Sequence, residues 1–126
     1  MTVTYTSCIM KLNSKIHGSI DYLVVVFLWV SPSLFGMPRH TATFTYVLGG
    51  IHLILTLATA FELGLVKVIP FRIHGWIELI VSIVLVAIAF YLGNLEGSLA
   101  RNFYLIFAAA VFVTWLITDY KGKPTS

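Results

Sequence analysis

The segment Ile16-His17-Gly18-Ser19-Ile20, followed by Asp21, returns as Ile73-His74-Gly75-Trp76-Ile77, followed by Glu78. In each copy an imidazole precedes a carboxylate by four residues, and residues at that spacing share one face of a helix. Two imidazoles and two carboxylates on facing helices are the donor set from which bundle cores build metal sites. Imidazole with carboxylate suits Zn, Mn or non-haem Fe. His17, Asp21, His74 and Glu78 are therefore the candidate metal ligands. The two histidines can also be read as axial ligands of a haem. With the acids they can be read as a proton relay, since intramembrane His and carboxylate residues mark such paths. A plainer reading uses the same residues: each carboxylate orients the imidazole of its own turn and clamps the start of its helix. Acids in a first turn are in any case favoured by the helix dipole.

A third histidine, His52, lies near the middle of another apolar run, where a buried polar group needs a partner. Thr45, Gly49, His52, Thr56 and Thr59 are spaced to form one polar, small-residue stripe. His52 is either a cofactor ligand or relay member, or the donor of an interhelical hydrogen bond worth about 1 kcal/mol. The corresponding stripe further on is Tyr104, Ala108, Val111, Trp115 and Thr118, with no histidine.

These residues sit in a chain of 126 residues that is 59% hydrophobic and 10% charged. Soluble domains run near 45–50% apolar and 25% charged. Between Tyr22 and Phe61 the only formal charge is Arg39, and between Leu79 and Leu95 there is none. Runs of about 20 apolar residues match a bilayer core of roughly 30 Å. Four are predicted, at about Gly18–Gly36, Thr43–Leu65, Ile73–Gly93 and Leu99–Thr118. Lys11, Lys15, Lys67, Arg72, Lys121 and Lys123 then fall on one side, and Arg39 and Arg101 on the other. That bias places both termini in the cytoplasm. The net charge of +3 forms no basic patch interleaved with aromatics, so nucleic acid is not an expected partner. Cys8 is the only cysteine, which rules out a disulfide framework or a cysteine metal cluster. The first apolar run reads as a retained span because Gly36-Met37-Pro38-Arg39 is a poor cleavage context. No phosphate-binding glycine loop, nucleophile elbow or zinc-protease helix is present, so no catalytic residue is assigned.

The repetition extends past the histidines. Lys15 aligns with Arg72, Asp21 with Glu78, Leu28 with Leu85 and Gly36 with Gly93; later, Phe44 aligns with Phe103, Thr59 with Thr118 and Phe61 with Tyr120. Each unit is a two-span hairpin, so both units point the same way through the membrane, related by an approximate two-fold axis along its normal. Both His/carboxylate pairs are then expected at one end of the bundle, about one turn into the apolar region. Ser31-Pro32-Ser33 is expected to kink or end the first span. An outer loop is expected around Asn94-Leu95-Glu96-Gly97.

Lys15-Ile16-His17-Gly18 with Asp21-Tyr22, Ser31-Pro32-Ser33-Leu34-Phe35-Gly36, Thr59-Ala60-Phe61-Glu62-Leu63-Gly64 and Ile69-Pro70-Phe71-Arg72-Ile73-His74 resemble the SPW-repeat membrane proteins of bacteria. The resemblance runs from about residue 15 to 120. In that family each unit is two transmembrane helices, and a Ser-Pro-Trp motif ends the first. Ser33 stands where the family has Trp, and the second unit reads Ile88-Ala89-Phe90 with no Ser-Pro, which marks a divergent member. The resemblance implies a fold and a bacterial inner-membrane location, and it implies no activity.

The expected architecture is an all-α membrane protein, an antiparallel bundle of four transmembrane helices in two tandem hairpin repeats. Residues 1–15 form a cytoplasmic tail, 16–120 the transmembrane domain (repeats at about 16–64 and 73–120), and 121–126 a second tail. The function expected first is structural or interactive: a self-associating protein of the lipid bilayer, or one with a membrane-protein partner, whose His/carboxylate clamps join spans 1 and 3. The alternatives are a metal- or haem-binding redox protein using His17, His74, Asp21, Glu78 and His52, and a small proton-coupled carrier.

Overall fold

Four helices long and apolar enough to cross a membrane make up most of the chain. The computed structural model describes residues 12–120. Helices α1 (Ser14–Leu34) and α2 (Arg39–Leu57) form one hairpin, and α3 (Phe71–Glu96) and α4 (Ser98–Ile117) the other. Consecutive helices within each hairpin pack most extensively. Two short strands, β1 (Thr59–Ala60) and β2 (Ile69–Pro70), lie in the connection between the hairpins.

The polarity is reversed relative to a water-soluble bundle. Leu23, Ile54 and Ile106 are each about two-thirds exposed or more (68%, 67% and 71%), whereas His17, Thr41, Thr45, Thr56, Thr59 and His74 are fully buried. In lipid this is the stable arrangement: apolar side chains lose nothing by facing acyl chains, and polar ones must find partners inside. Most of these hydroxyls close on the carbonyl four residues back, as Thr45 does on Thr41 and Thr56 on His52. Because the Thr45 proton is spent in that way, the buried Tyr104 phenol donates to Thr45 and joins α2 to α4. Tyr104 belongs to an apolar cluster with Leu85, Ala89, Leu92, Ala100 and Ala108.

Asn13 caps α1, its side chain accepting from the Ile16 amide. The helix runs through Pro32 and ends two residues later, so the proline marks its last turn, as expected. Gly36, with φ of +59°, then reverses the chain. Several boundaries differ from the sequence reading, α2 beginning at Arg39 rather than Thr43 and α3 at Phe71 rather than Ile73. Helix α1 begins at Ser14, inside the expected tail, because Asn13 supplies the cap. Helix α2 stops at Leu57 rather than continuing to Leu65, because the chain peels away into β1. The freed carbonyls of Leu57 and Ala58 accept from Leu65, Val66, Val68 and Ile69. Helix α3 continues through Asn94–Glu96, and the outer loop shrinks to Gly97 with φ of +108°. Glu96 explains the extra turn. Its carboxylate accepts from the amides of His40 and Thr41 and from the Thr41 hydroxyl, closing the start of α2 from the other hairpin.

At the opposite end the hairpins are cross-tied twice. Thr59 pairs in parallel with Ile69, and Leu12 pairs in parallel with Thr118. These are corresponding positions of the two halves: the segment before one helix pair meets the segment after a helix pair. Gly18 packs against the Phe61 ring and Gly75 against the Tyr120 ring, again at corresponding positions. Neither glycine has room for a side chain, since a Cβ at either would enter the ring. Gly18→Val and Gly75→Val should therefore each destabilise the detergent-solubilised protein by about 1–3 kcal/mol, the usual cost of overpacking. Thermal melts in which either variant equalled the parent would show that these ring contacts do not hold the end of the bundle.

Candidate metal centre

His17 and Asp21 project from the first two turns of α1, and His74 and Glu78 from the first two turns of α3. The cross-ties bring these two helix starts together. All four side chains are buried: His17 and His74 at 0% exposure, Asp21 at 2% and Glu78 at 6%. One donor atom from each lies within 4.8 Å of every other. The expected meeting of both pairs at one end of the bundle is thus observed. Their burial is deeper than a depth of one helical turn implies. Phe61, Phe71 and Tyr120 form an aromatic cover, with the Phe71 ring 4.8 Å from Tyr120, 5.6 Å from His17 and 6.0 Å from Phe61 (centroids).

The pairing is not the one a single helical turn would give. His17 Nε2 is 2.9 Å from Glu78 but 3.4 Å from its own Asp21. His74 Nε2 is 3.1 Å from Asp21 but 3.5 Å from its own Glu78. Each imidazole sits closer to the acid of the other hairpin, so the clamp within one turn gives way to a clamp between hairpins. The two rings meet edge to face, with centroids 5.5 Å apart at 83°.

Two threonines set the orientation of the rings. His17 Nδ1 is 2.8 Å from Thr118 Oγ1, and His74 Nδ1 is 2.7 Å from Thr59 Oγ1. Each threonine lies in the other hairpin from its histidine. Thr118 already donates to the Thr114 carbonyl and Thr59 to the Leu55 carbonyl. A hydroxyl has one proton, so each imidazole must donate from Nδ1 and turn Nε2 towards the acids. Glu78 also accepts from the Tyr120 phenol at 2.7 Å. Burial, and then the Glu78 carboxylate, hold that phenol above its ordinary pKa, so it remains a donor.

His17 Nε2, His74 Nε2 and Asp21 Oδ2 make no hydrogen bond among the described residues, although each imidazole nitrogen lies at ion-pair distance from both carboxylates. The atoms are close but out of line. An Nε2 lone pair facing a carboxylate is repulsive unless a cation lies between them, either a proton on the ring or a metal ion. For metal–ligand bonds of about 2.0–2.1 Å at tetrahedral angles, neighbouring ligand atoms lie about 3.3 Å apart. The four imidazole–carboxylate distances are 2.9–3.5 Å, each carboxylate reaching His17 with one oxygen and His74 with the other. A buried cluster that could hold a metal ion is present. A haem between the imidazoles is a poorer fit, because Asp21 and Glu78 occupy the space that a porphyrin would need.

No match was found for the chain among protein-family models, curated proteins or solved structures. The assignment of the site therefore rests on its geometry.

His52 approaches from α2, with Nε2 3.5 Å from Asp21 Oδ1, and it is also without a hydrogen bond. It stands outside the four-residue cluster. Ser82, one turn beyond Glu78 on α3, donates to the Leu79 carbonyl of its own helix. The residues that sequence reasoning missed as part of the site are Thr59 and Thr118. Their alignment with one another was the available signal, but nothing in it pointed to the histidines. Thr59→Val and Thr118→Val should each leave a buried imidazole N–H without an acceptor, at about 1–3 kcal/mol. The two losses should be similar in size, and unfolding of each variant measures them. A loss at only one of the two would contradict the matched roles.

Proposed function

We propose that this chain is a small integral protein of the bacterial inner membrane that holds one divalent transition-metal ion between its two hairpins. The ligands in this reading are His17, Asp21, His74 and Glu78, and Zn, Mn and Fe are the metals suited to the set. The observation that carries the reading is the buried convergence of Nε2 atoms and carboxylate oxygens, one donor from each residue within 4.8 Å of the others, with the other ring nitrogens already committed to Thr59 and Thr118. Hydrogen bonds of that kind, made by the second ring nitrogen, are the usual support of metal-bound imidazoles. When bound, the ion supplies a cross-link between hairpins and a Lewis-acid centre. The chain's own residues fix the tautomers, balance the charge and exclude water beneath the aromatic cover. The role is structural at minimum, since the ligands are drawn equally from both hairpins.

The orientation in this reading follows from charge. Lys15, Lys67 and Arg72 belong to the end of the bundle that carries the cluster, and Arg39 and Arg101 to the other. The positive-inside bias then puts the metal end towards the cytoplasm. The resemblance to SPW-repeat proteins supports the same location. Self-association in the bilayer remains part of the proposal.

Elemental analysis and Zn or Co titration of the detergent-purified protein test the reading. One ion per chain is expected. His17→Ala and His74→Ala should each weaken binding by about two orders of magnitude or more, since loss of an outer-sphere partner alone costs about 10–100-fold. His40→Ala should leave binding unchanged. Affinity should fall as pH is lowered, because protons compete for the Nε2 atoms and carboxylates. Absence of stoichiometric metal, together with a lowered melting temperature in both histidine variants, would replace the metal site by a proton-bridged clamp of the same four residues.

A further inference from the structure

At the end of the bundle away from the cluster, the start of α2 and the end of α3 leave a groove of about 430 Å³ between them. Arg39 and His40 stand at its mouth, with Tyr91 on the facing helix. Phe44, Ile88, Leu92 and Leu95 supply most of the remaining wall. The guanidinium, the imidazole and the phenol make no hydrogen bond or salt bridge among the described residues. Arg101, the other cation at this end, instead donates from Nε to Asn102. None of the described carboxylates lines the groove. Glu96, next to Leu95, is spent on the His40 and Thr41 amides and the Thr41 hydroxyl.

The lining divides by depth. Arg39 opens α2, and Phe44 lies about 7.5 Å further in, at about 1.5 Å per residue. One polar headgroup layer has about that thickness, since a bilayer of about 40–45 Å surrounds a core of about 30 Å. The donors therefore stand level with lipid headgroups, and the apolar wall level with the first part of the acyl chains. A guanidinium matches a phosphate with two parallel N–H bonds. Tyr91 is exposed, and its phenol offers a further donor. A mouth with these donors and no carboxylate favours net negative charge. Phosphatidylethanolamine would bring an ammonium with no counter-charge to meet it. Inorganic phosphate would leave the apolar wall without an occupant.

We propose that this groove binds one anionic phospholipid of the surrounding leaflet, its phosphate on Arg39 and an acyl chain along Phe44 and Ile88. The site lies at the other end of the bundle from the metal ligands, so it stands or falls separately from the metal reading. It also gives a role to a cation on the side of the bundle where the charge bias leaves few.

Native mass spectrometry of the full chain, released from nanodiscs made of equal parts phosphatidylglycerol and phosphatidylethanolamine, tests this directly. One phosphatidylglycerol per chain should be retained in preference to phosphatidylethanolamine. Arg39→Ala should weaken that retention about tenfold, the size of one hydrogen bond to a charged group. Arg39→Lys should keep part of it. Arg101→Ala removes the same charge from the same end and should leave it unchanged. Leu95→Glu, at an exposed position on the groove, should repel the phosphate and remove the preference, and it serves if Arg39→Ala does not fold. Excess inorganic phosphate should not displace the lipid. Equal retention of the two lipids, equal losses in Arg39→Ala and Arg101→Ala, or an undiminished preference in folded Leu95→Glu would each overturn the proposal. Displacement by phosphate would overturn it too, in favour of a site for soluble anions.

Discussion

Two carboxylates buried inside an apolar bundle set the terms for the rest of the structure. A charge taken into a low-dielectric interior costs several kcal/mol even after relaxation, and it persists only where partners are close and well placed. Asp21 and Glu78 meet that condition only if both helix starts occupy one small volume. The cross-ties follow from it. Thr59 reaches His74, and Thr118 reaches His17, only because α2 ends at Leu57, α4 ends at Ile117, and each following segment pairs with the chain preceding a helix. A chain that simply extended α2 to the end of its apolar run would carry Thr59 away from His74. The early break is thus a consequence of satisfying the imidazole.

The exchange of partners between hairpins also accounts for the spacing of the site. An i, i+4 pair on one helix can hold an imidazole beside a carboxylate without help from elsewhere. Here each Nε2 is instead drawn to the acid of the other hairpin, and each Nδ1 to a threonine of the other hairpin. The shortest contacts of both imidazoles therefore span the two halves. Hairpins in lipid gain little from apolar contact, since acyl chains are as good a neighbour as leucine. Polar contacts and close packing must supply the association. The cluster supplies the first at one end, and the Tyr104–Thr45 bond with the Glu96 cap supplies it through the middle and at the other.

Much of this was legible in the residues. The absence of charge over two long stretches announced the spans, and the His-Gly doublets in two copies announced both the hairpins and the four residues that meet. Element ends were less legible for a specific reason. Apolar composition continues without a break from α2 into the connection, so Leu57 and Leu65 look alike, and only the demand of His74 for Thr59 distinguishes them. Likewise Asn94–Glu96 read as a loop because the residues are polar and end in glycine, whereas Glu96 is helical and serves as a cap for a different helix. The spacing showed each histidine next to its own acid. It could not show which acid would be nearer, because that depends on how two helices cross.

The cluster is asymmetric in one respect that its repeated sequence hides, and the asymmetry gives it a direction. Asp21 is approached by three imidazoles, from His17, His74 and His52, whereas Glu78 is approached by two and by the Tyr120 phenol. The position in α4 that corresponds to His52 is Val111, so only one hairpin sends a histidine towards the interior. Tyr120 corresponds to Phe61, so only one hairpin sends a hydroxyl from the aromatic cover. The two departures act on opposite sides of the cluster. One ties Glu78 to the aromatic cover, and the other brings a third imidazole to Asp21 from α2. The substitutions that break the match leave one acid tied to the aromatic cover and the other shared among three imidazoles.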